Sequence, residues 1–350
     1  TPCGTLFPYT TLFRSDEEHV SKLQTGGPDG DLGSNEIIVS KDKTIGVIDG
    51  SGVLYDPEGL DRDELMRLAK KRVMGENFDR SLLSPNGFFI SVEDKKTSLP
   101  DGTPVPNGEE FRNCFHLNPL ASADLFVPCG GRPAAININN WKMLLDEKGA
   151  PKFKIIVEGA NLFITEQARL RLEQNGVIII KDASANKGGV TSSSLEVLAA
   201  LALNDEQFDE YVRLKDHTIP GFMKSYIESV INTIRGNARS EFNLLWSEHE
   251  KTKIPFTHLT NQLSKKINDI TDAVIKSDLP GQTRLREKII TEYVLPPLLD
   301  LAGAETILER VPAPYLDSIV ATKVATNFVY RNGLDANEID FYNFLKEYLP

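Results

Sequence analysis

The sequence predicts an open α/β fold with a mostly parallel sheet, followed by an all-helical C-terminal region. Short apolar runs alternate with helical patterns between residues 16 and 200, which is typical of a sheet covered by helices on both faces. A glycine-rich turn follows the first of these runs. From about residue 200 onward the strand patterns give way to apolar residues at helical spacing. We therefore predict two domains, 16–200 and 201–350.

Composition indicates a globular chain and excludes several partners. The 350 residues are 40% hydrophobic and 25% charged, with 39 basic and 50 acidic side chains. No apolar run reaches the roughly 18 residues of a membrane span, and no basic stripe offers a nucleic-acid surface. We expect neither a membrane nor a nucleic acid as partner. Three cysteines are too few for a disulfide framework, which favours a reducing compartment.

Residues 1–15 differ from the rest of the chain. Thr5–Ser15 matches, residue for residue, the in-frame translation of a common sequencing adapter. The segment lacks the basic start of a signal peptide and is interrupted by Pro8 and Arg14. We interpret residues 1–15 as an artefact. The chain also lacks an initiator Met, so we expect the native N-terminus and any targeting signal to lie upstream.

Six apolar runs are the predicted strands of the first domain. Continuous Ile, Val, Leu and Phe segments are expected where both faces of a parallel strand are buried. Asp61 and Glu64 have the pattern of a capping box, and a helix after Thr165 should end at Asn175-Gly176. Leu99–Gly108, with three prolines and two glycines, is predicted as a surface loop or a hairpin insert. The runs are Lys22–Thr25, Thr44–Asp49, Phe88–Val92, Asp124–Val127, Phe153–Val157 and Val177–Lys181.

Amphipathic helices are predicted for the second domain. After Pro220, which suits a first helical turn, apolar residues recur at three- and four-residue spacing as far as Ile234. The same spacing runs from Leu316 to Phe328, before Asn332-Gly333 ends the helix. We expect these apolar stripes to face a core.

The glycine-rich turn is the first candidate binding site. Gly27, Gly30 and Gly33 precede a helical segment, where a backbone without side chains and a helix N-terminus suit a pyrophosphate. The spacing G-x-x-G-x-x-G is one residue longer than the usual fingerprint, so a plain turn is the alternative. Asp49 ends the next predicted strand 22 residues after Gly27, near the roughly 20 expected of a ribose-binding acid. A carboxylate there favours NAD over NADP and a Rossmann-like sheet, although an ordinary surface Asp is also possible.

Three later loops follow predicted strands, where open α/β sheets bind ligands. The first contains Cys129 and Gly130; no His stands near Cys129 in sequence, so we expect an inert thiol. The second contains Asn161, whose amide could contact a nicotinamide or its ribose, or cap a helix. The third contains Asn186 and a serine-rich helix start that could take a carboxylate, with N-capping as the alternative for each serine. The five histidines are scattered, and we predict no metal site.

Together these motifs resemble the glutamate dehydrogenase family, especially its large NAD-specific form found in fungi. The Gly-Gly-Pro-Asp-Gly-Asp-Leu-Gly-Ser-Asn-Glu segment is highly specific to that form. The resemblance covers 16–203 and, more loosely, the helical region. The segments that occur in the family's order are Thr25–Glu36, Gly46–Leu60, Asp124–Pro133, Val157–Asn161 and Asp182–Glu196.

The resemblance implies an NAD-dependent enzyme that oxidatively deaminates L-glutamate to 2-oxoglutarate and ammonium. It implies a homo-oligomer of the cytoplasm or mitochondrial matrix. Val190 and Ser193 would line the pocket of the glutamate side chain. The family's catalytic Lys and Asp belong to a preceding domain, so no catalytic residue is expected in this chain. The implied cofactor-binding residues are Gly27, Gly30, Asp31, Leu32, Gly33, Asp49, Cys129, Gly130, Asn161 and Asn186.

Two other functions stay open. Leucine, valine and phenylalanine dehydrogenases share this architecture, although the hydroxyl-rich stretch Thr191–Ser194 favours an acidic substrate. A nucleotide-binding regulatory module without chemistry of its own is the alternative from a different class.

Overall fold

A main sheet of seven strands and a separate two-stranded hairpin form the β-structure of the described residues. The computed structural model describes residues 17–214 and 218–349, so the interpretation of residues 1–15 as an artefact concerns residues outside this part. In chain order the strands are β1 (Ser21–Thr25), β2 (Lys43–Ile48), β3 (Gly52–Tyr55), β4 (Phe88–Ser91), β5 (Lys95–Ser98), β6 (Pro104–Asn107), β7 (Ala123–Pro128), β8 (Phe153–Val157) and β9 (Ile178–Ile180).

The strand order of the main sheet is β4-β3-β2-β1-β7-β8-β9. Five neighbouring strands of the sheet pair in parallel, in the order β2, β1, β7, β8 and β9. The strands β3 and β4 extend one edge of the sheet in antiparallel pairing. The chain passes from β1 to β2 on one side and later to β7 on the other. The strand order therefore reverses at the carboxyl end of β1, where such sheets bind ligands. The mostly parallel sheet is confirmed, and β3 is a strand that the sequence did not predict.

Helices cover both faces of this sheet. Val47 and Leu54 pack in one apolar cluster with Ile37 and Leu65, while Ile48 packs in a second cluster. Adjacent residues of a strand point to opposite faces, so the sheet is buried on both sides, as predicted. The helices of this unit are α1 (Asp31–Val39), α2 (Arg62–Lys71), α3 (Gly108–Cys114), α4 (Glu166–Gln174) and α5 (Asp182–Ala185).

Local predictions differ in their outcome. At the start of α2 the Asp61 side chain accepts from the Glu64 N–H at 2.8 Å. The Glu64 carboxylate, however, accepts from Arg67 and from the Asp79 N–H, so the predicted capping box forms only in part. Helix α4 ends as predicted, with Gly176 at φ 89°. The hairpin β5–β6 confirms the predicted insert.

The chain divides into two compact units after Asn186, and residues 255–257 group with the sheet. This division precedes the predicted boundary near residue 200, because the apolar residues of Gly188–Ala202 pack among helices of the second unit. No helix of the described residues is long and apolar enough to cross a membrane. The remaining helices are α6 (Gly188–Ala202), α7 (Asp205–Tyr211), α8 (Gly221–Thr252), α9 (Phe256–Ile275), α10 (Thr283–Tyr293), α11 (Pro296–Ala302), α12 (Ala304–Arg310), α13 (Ala313–Asn332) and α14 (Glu338–Leu345).

Both predicted amphipathic helices of the second unit are present. Helix α8 follows Pro220 and buries Tyr226, Val230 and Ile234 of the predicted stripe. Helix α13 ends at Asn332, and Gly333 follows at φ 86°. A glycine in this position is the usual end of a helix.

Candidate functional site

The glycine-rich turn lies at the carboxyl end of β1 and leads directly into α1, with Gly30 as its N-cap. A Cβ on Gly27 would lie 2.5 Å from the Asp49 Cβ, and one on Gly33 would lie 2.3 Å from the Gly27 carbonyl oxygen. Neither position has room for a side chain. A Cβ on Gly30 would meet only the Gly27 oxygen, at 3.6 Å. Two glycines are therefore required by packing, while Gly30 leaves open space beside the helix N-terminus.

Asp49 follows β2 and is 6% exposed. Its Oδ1 accepts from the N–H groups of Ser51 and Gly52 at 2.8 and 3.3 Å, and from the Ser51 hydroxyl. Its Oδ2 accepts from the Gly75 N–H at 2.6 Å. A carboxylate oxygen has two lone pairs, so Oδ2 keeps capacity for one further donor. Asp49 thus fixes its own turn and presents one acceptor beside Gly27.

The loop after β7 touches the glycine-rich turn. A Cβ on Gly26 would lie 2.7 Å from the Gly130 nitrogen, and the Cys129 N–H donates to the Thr25 carbonyl at 2.7 Å. Burial raises the pKa of the Cys129 thiol well above its usual value. The thiol is therefore protonated at neutral pH and lacks the reactivity of a thiolate.

These loops surround a cavity of about 500 Å³ at the switch point. This volume lies in the range of small-molecule and cofactor pockets. Asp31, at its rim, pairs with Arg72 at 2.8 Å, and Leu32 packs against Gly159. Eight of the ten predicted cofactor residues line the cavity: Gly27, Gly30, Asp31, Leu32, Gly33, Asp49, Cys129 and Gly130.

The other two predicted cofactor residues are Asn161, in the loop after β8, and Asn186, which directly follows α5. They line a different cavity of the same unit. The structure pairs them directly, because Asn186 Nδ2 donates to Asn161 Oδ1 at 3.0 Å. Asn161 Nδ2 and Asn186 Oδ1 remain as one donor and one acceptor.

Buried charges hold the Asn161 loop. Glu158 is fully buried and accepts from Arg169 Nε at 2.5 Å and from the Ile164 N–H at 3.0 Å. Asp182 accepts from the Leu162 N–H at 2.8 Å and lies 3.4 Å from the Arg169 guanidinium. Burial raises the pKa of Glu158 to about 7, although Arg169 opposes this shift. The backbone after Asn161 is thus tied to two carboxylates that share one arginine.

Part of the cavity lining was missed by sequence reasoning. His116 and Arg112 line the switch-point cavity, and His116 is 6% exposed. Burial lowers the pKa of His116 to about 4, so the ring is neutral at physiological pH. Its Nε2 has no hydrogen-bond partner among the described residues. The ring packs on Phe126 and Phe163, and no residue spacing in the sequence signals this position.

The predicted substrate residues Val190 and Ser193 lie in α6, which belongs to the helical unit. This helix begins at Gly188 with Lys187 as N-cap, so the serines lie beyond the cap position. The Ser193 hydroxyl donates to the Gly189 carbonyl, as hydroxyls in helix interiors commonly do. The N-capping alternative is therefore wrong. Both residues are exposed, Val190 to 73%, and their role in a substrate pocket stays a prediction.

The parallel sheet, its switch point and the glycine-rich turn define a Rossmann-like α/β protein. The sequence profile of the Glutamate/Leucine/Phenylalanine/Valine dehydrogenase family matches residues 3–252, and the chain belongs to this family. Within residues 17–214 and 218–349, no three His, Cys, Asp or Glu side chains are placed to hold a metal ion.

Named relatives confirm the predicted resemblance. Glutamate dehydrogenase 2 of Dictyostelium discoideum is 55% identical over 331 residues, which cover 95% of this chain and 32% of that protein. The probable NAD-specific glutamate dehydrogenase of Schizosaccharomyces pombe is 47% identical over 338 residues, covering 96% and 30%. The NAD-specific glutamate dehydrogenase of Neurospora crassa is 44% identical over 333 residues, covering 95% and 32%. The chain therefore spans about a third of the length of these relatives.

Proposed function

We propose that this chain is the coenzyme-binding part of an NAD-dependent glutamate dehydrogenase, which converts L-glutamate to 2-oxoglutarate and ammonium. The observation that carries the proposal is the switch-point cavity, where the glycine-rich turn, Asp49 and the Cys129–Gly130 loop meet. Relatives named as NAD-specific glutamate dehydrogenases, which match nearly the whole chain, support the choice of cofactor and substrate.

The glycine-rich turn suits the pyrophosphate of NAD. The bare backbone at Gly30 borders open space, and the first residues of α1 line the same cavity without a side-chain cap. A helix N-terminus favours an anion. Asp49 Oδ2 would accept from one ribose hydroxyl of the adenosine, because backbone N–H groups already donate to the other acceptor positions of this carboxylate. A 2′-phosphate beside this carboxylate would be repelled, which favours NAD over NADP.

The asparagine pair suits the other end of the cofactor. A nicotinamide carboxamide carries one N–H₂ group and one carbonyl oxygen, and Asn161 Nδ2 and Asn186 Oδ1 complement them. Bound NAD supplies the ring carbon that accepts a hydride from the substrate. The residues of this chain would orient that ring, and the Glu158–Arg169–Asp182 cluster would keep the Asn161 loop in place.

On the substrate side, we propose that Val190 and Ser193 contact the glutamate side chain. The Ser193 hydroxyl, which donates to Gly189 in the structure, would instead donate to the distal carboxylate. Oxidative deamination also requires a base near the substrate amine, and we propose no residue of this chain for that role. We further propose a homo-oligomer, as the family suggests.

The first test uses the 350-residue chain. We expect it to bind NADH, followed by NADH fluorescence, without producing NADH from glutamate and NAD, followed at 340 nm. Failure to bind NADH would overturn the coenzyme site. Turnover of glutamate would show that the chain contains its own base. In an enzyme that includes this chain, Ser193→Ala should raise the KM for glutamate and leave NADH binding unchanged.

Asp49→Asn tests the choice of cofactor. We expect NADH binding to weaken about tenfold, the equivalent of about 1.4 kcal/mol, and the preference over NADPH to fall. Asp56→Asn is the matched control, since Asp56 is 1% exposed and accepts from the N–H groups of Glu58 and Ser84 outside this cavity. It should destabilise the fold without altering the NADH-to-NADPH ratio. Equal affinity of the unmodified chain for both cofactors would refute the role of Asp49.

A further inference from the structure

We propose that the helical unit contains a second binding site, for a small anion with a phosphate or carboxylate group, centred on Lys323 of α13. The site is independent of the coenzyme cavity. All of its residues belong to the helical unit.

Lys323 lies where two cavities meet. One cavity, of about 530 Å³, extends from α6 towards α10 and α13, and the other, of about 730 Å³, extends along α8 and α13. Lys323, Asn237 of α8 and Thr326 of α13 line both of them. The space around this ammonium group is large enough for a metabolite rather than a single water molecule.

The charge of Lys323 is unpaired within the described residues. No carboxylate there lies within 4 Å of its Nζ, whereas the other two cations of these cavities are already paired. Lys251 lies 3.2 Å from Glu248 and Arg331 lies 2.6 Å from Glu347. Burial lowers the pKa of Lys323, and the more distant Glu292 only partly offsets this effect. A partly buried cation gains most from an anion that enters the cavity and pairs with it.

The neighbouring side chains supply further donors. Hydroxyl groups of Ser194, Tyr315 and Ser318, in the smaller cavity, already donate to backbone carbonyls. The polar groups of a second set have no such partner among the described residues, and they line the smaller cavity together with Lys323: Thr233, Asn237, Tyr293, Thr322 and Thr326. An ammonium group with several hydroxyl and amide donors matches the acceptor-only oxygens of a phosphate or carboxylate. Glu292 is the one acidic side chain that lines the smaller cavity in the described part of the chain.

The test uses inorganic phosphate and acetate as probes on the 350-residue chain, at constant ionic strength set with NaCl. Lysine amines are labelled by reductive ¹³C-methylation, and their pKa values are followed by NMR. The Lys323 signal should titrate below the ordinary range of a lysine amine. Lys276, an exposed residue outside both cavities, provides the control signal. The probe that binds should raise the pKa of Lys323 and leave the Lys276 signal as it is without the probe. The more effective probe identifies the phosphate or the carboxylate class.

Calorimetry on two variants completes the test. Lys323→Gln should weaken binding of the effective probe at least tenfold, while Lys276→Gln should bind it as the unmodified chain does. Any phosphate that binds at the glycine-rich turn is common to all three chains and cancels in the comparison. NADH affinity should be equal in Lys323→Gln and the unmodified chain. The proposal is overturned if neither probe shifts the Lys323 signal, or if Lys323→Gln retains full affinity.

Discussion

Replacement of Lys22 by Met tests whether buried charges fix the frame of the coenzyme cavity. Lys22 is a residue of β1 with a fully buried side chain. Its Nζ lies 2.9 Å from Asp42 Oδ2, 2.9 Å from the Ser40 hydroxyl and 3.3 Å from Glu36 Oε1. Glu36 belongs to α1, and Asp42 directly precedes β2. One ammonium group therefore connects the three elements that flank the glycine-rich turn.

The loss of unfolding free energy expected in Lys22→Met follows from the carboxylates that remain. Burial lowers the pKa of Lys22, but Asp42 and Glu36 raise it above its ordinary value, so Lys22 is charged in the folded chain. Met fills a similar volume but removes the ammonium group that Glu36 and Asp42 face. Protonating a carboxyl group of ordinary pKa near 4 costs about 4 kcal/mol at pH 7, which is the upper limit per group. Removing one partner of a buried ion pair typically costs about 3–5 kcal/mol, and we expect a loss near the middle of this range.

The loss of stability in Lys22→Met should depend on pH in a definite direction. In Lys22→Met, burial without the Lys22 ammonium group should favour the neutral form of a carboxyl group, so a lower pH should favour the variant's folded state. At pH 5 the same protonation costs only about 1.4 kcal/mol per group. The difference in stability between the variant and the unmodified chain should therefore shrink as the pH falls from 7 to 5.

Urea unfolding at pH 7 and pH 5 measures both effects. Lys154→Met is the matched control, because the Lys154 side chain is 71% exposed and pairs with Asp124 at 2.6 Å. An exposed pair contributes at most about 1 kcal/mol. The reasoning is refuted if Lys22→Met loses no more stability than the control, or if its loss is the same at both pH values.

Four further perturbations have expected outcomes. Gly33→Ala, whose Cβ would lie 2.3 Å from the Gly27 oxygen, should abolish NADH binding or unfold the chain. Gly236→Ala, in a helix with no atom within 4 Å of its Cβ, should stabilise the chain by about 0.5–1 kcal/mol in urea unfolding. Because the folded pKa of Glu158 is about 7 against an ordinary 4.5, its ionisation should lower stability as the pH rises through this interval, and Glu158→Gln should reduce that fall in urea titrations. Deletion of residues 1–15 should leave the melting temperature unchanged, whereas a loss of several degrees would show that the segment packs.

The sequence predicted the sheet where its strands are buried on both faces. The strands β1, β7, β8 and β9 each overlap a predicted run, because continuous apolar segments are typical of strands that are buried on both faces. The strand β3 was missed because Gly52–Tyr55 is short and begins within the glycine-serine-glycine stretch 50–52, which favours a turn. That turn exists, and Asp49 closes it so that β3 pairs antiparallel with β2.

The candidate site was predictable where binding residues are contiguous in sequence. The glycine-rich turn is recognised by the spacing of its glycines, and the later loops are recognised because each follows a predicted strand. His116 and Arg112 were missed because they reach the cavity only through the packing of α3 and the turn after it. Arg169 was missed for a related reason. An arginine within a polar helix resembles a surface residue until its carboxylate partner is known to be buried beneath it.

Two loops of the proposed coenzyme site are thus fixed by the same physical means. Lys22 joins the elements around the glycine-rich turn, and Arg169 joins the carboxylates that hold the Asn161 loop. Buried ion pairs contribute little net stability, because desolvation offsets much of their attraction. Their hydrogen bonds are directional, whereas apolar contacts of similar volume permit small shifts of a loop. A dinucleotide contacts several loops at once and binds well only if all of them are already in place. The buried charges are therefore best explained by the position of the loops rather than by the stability of the fold.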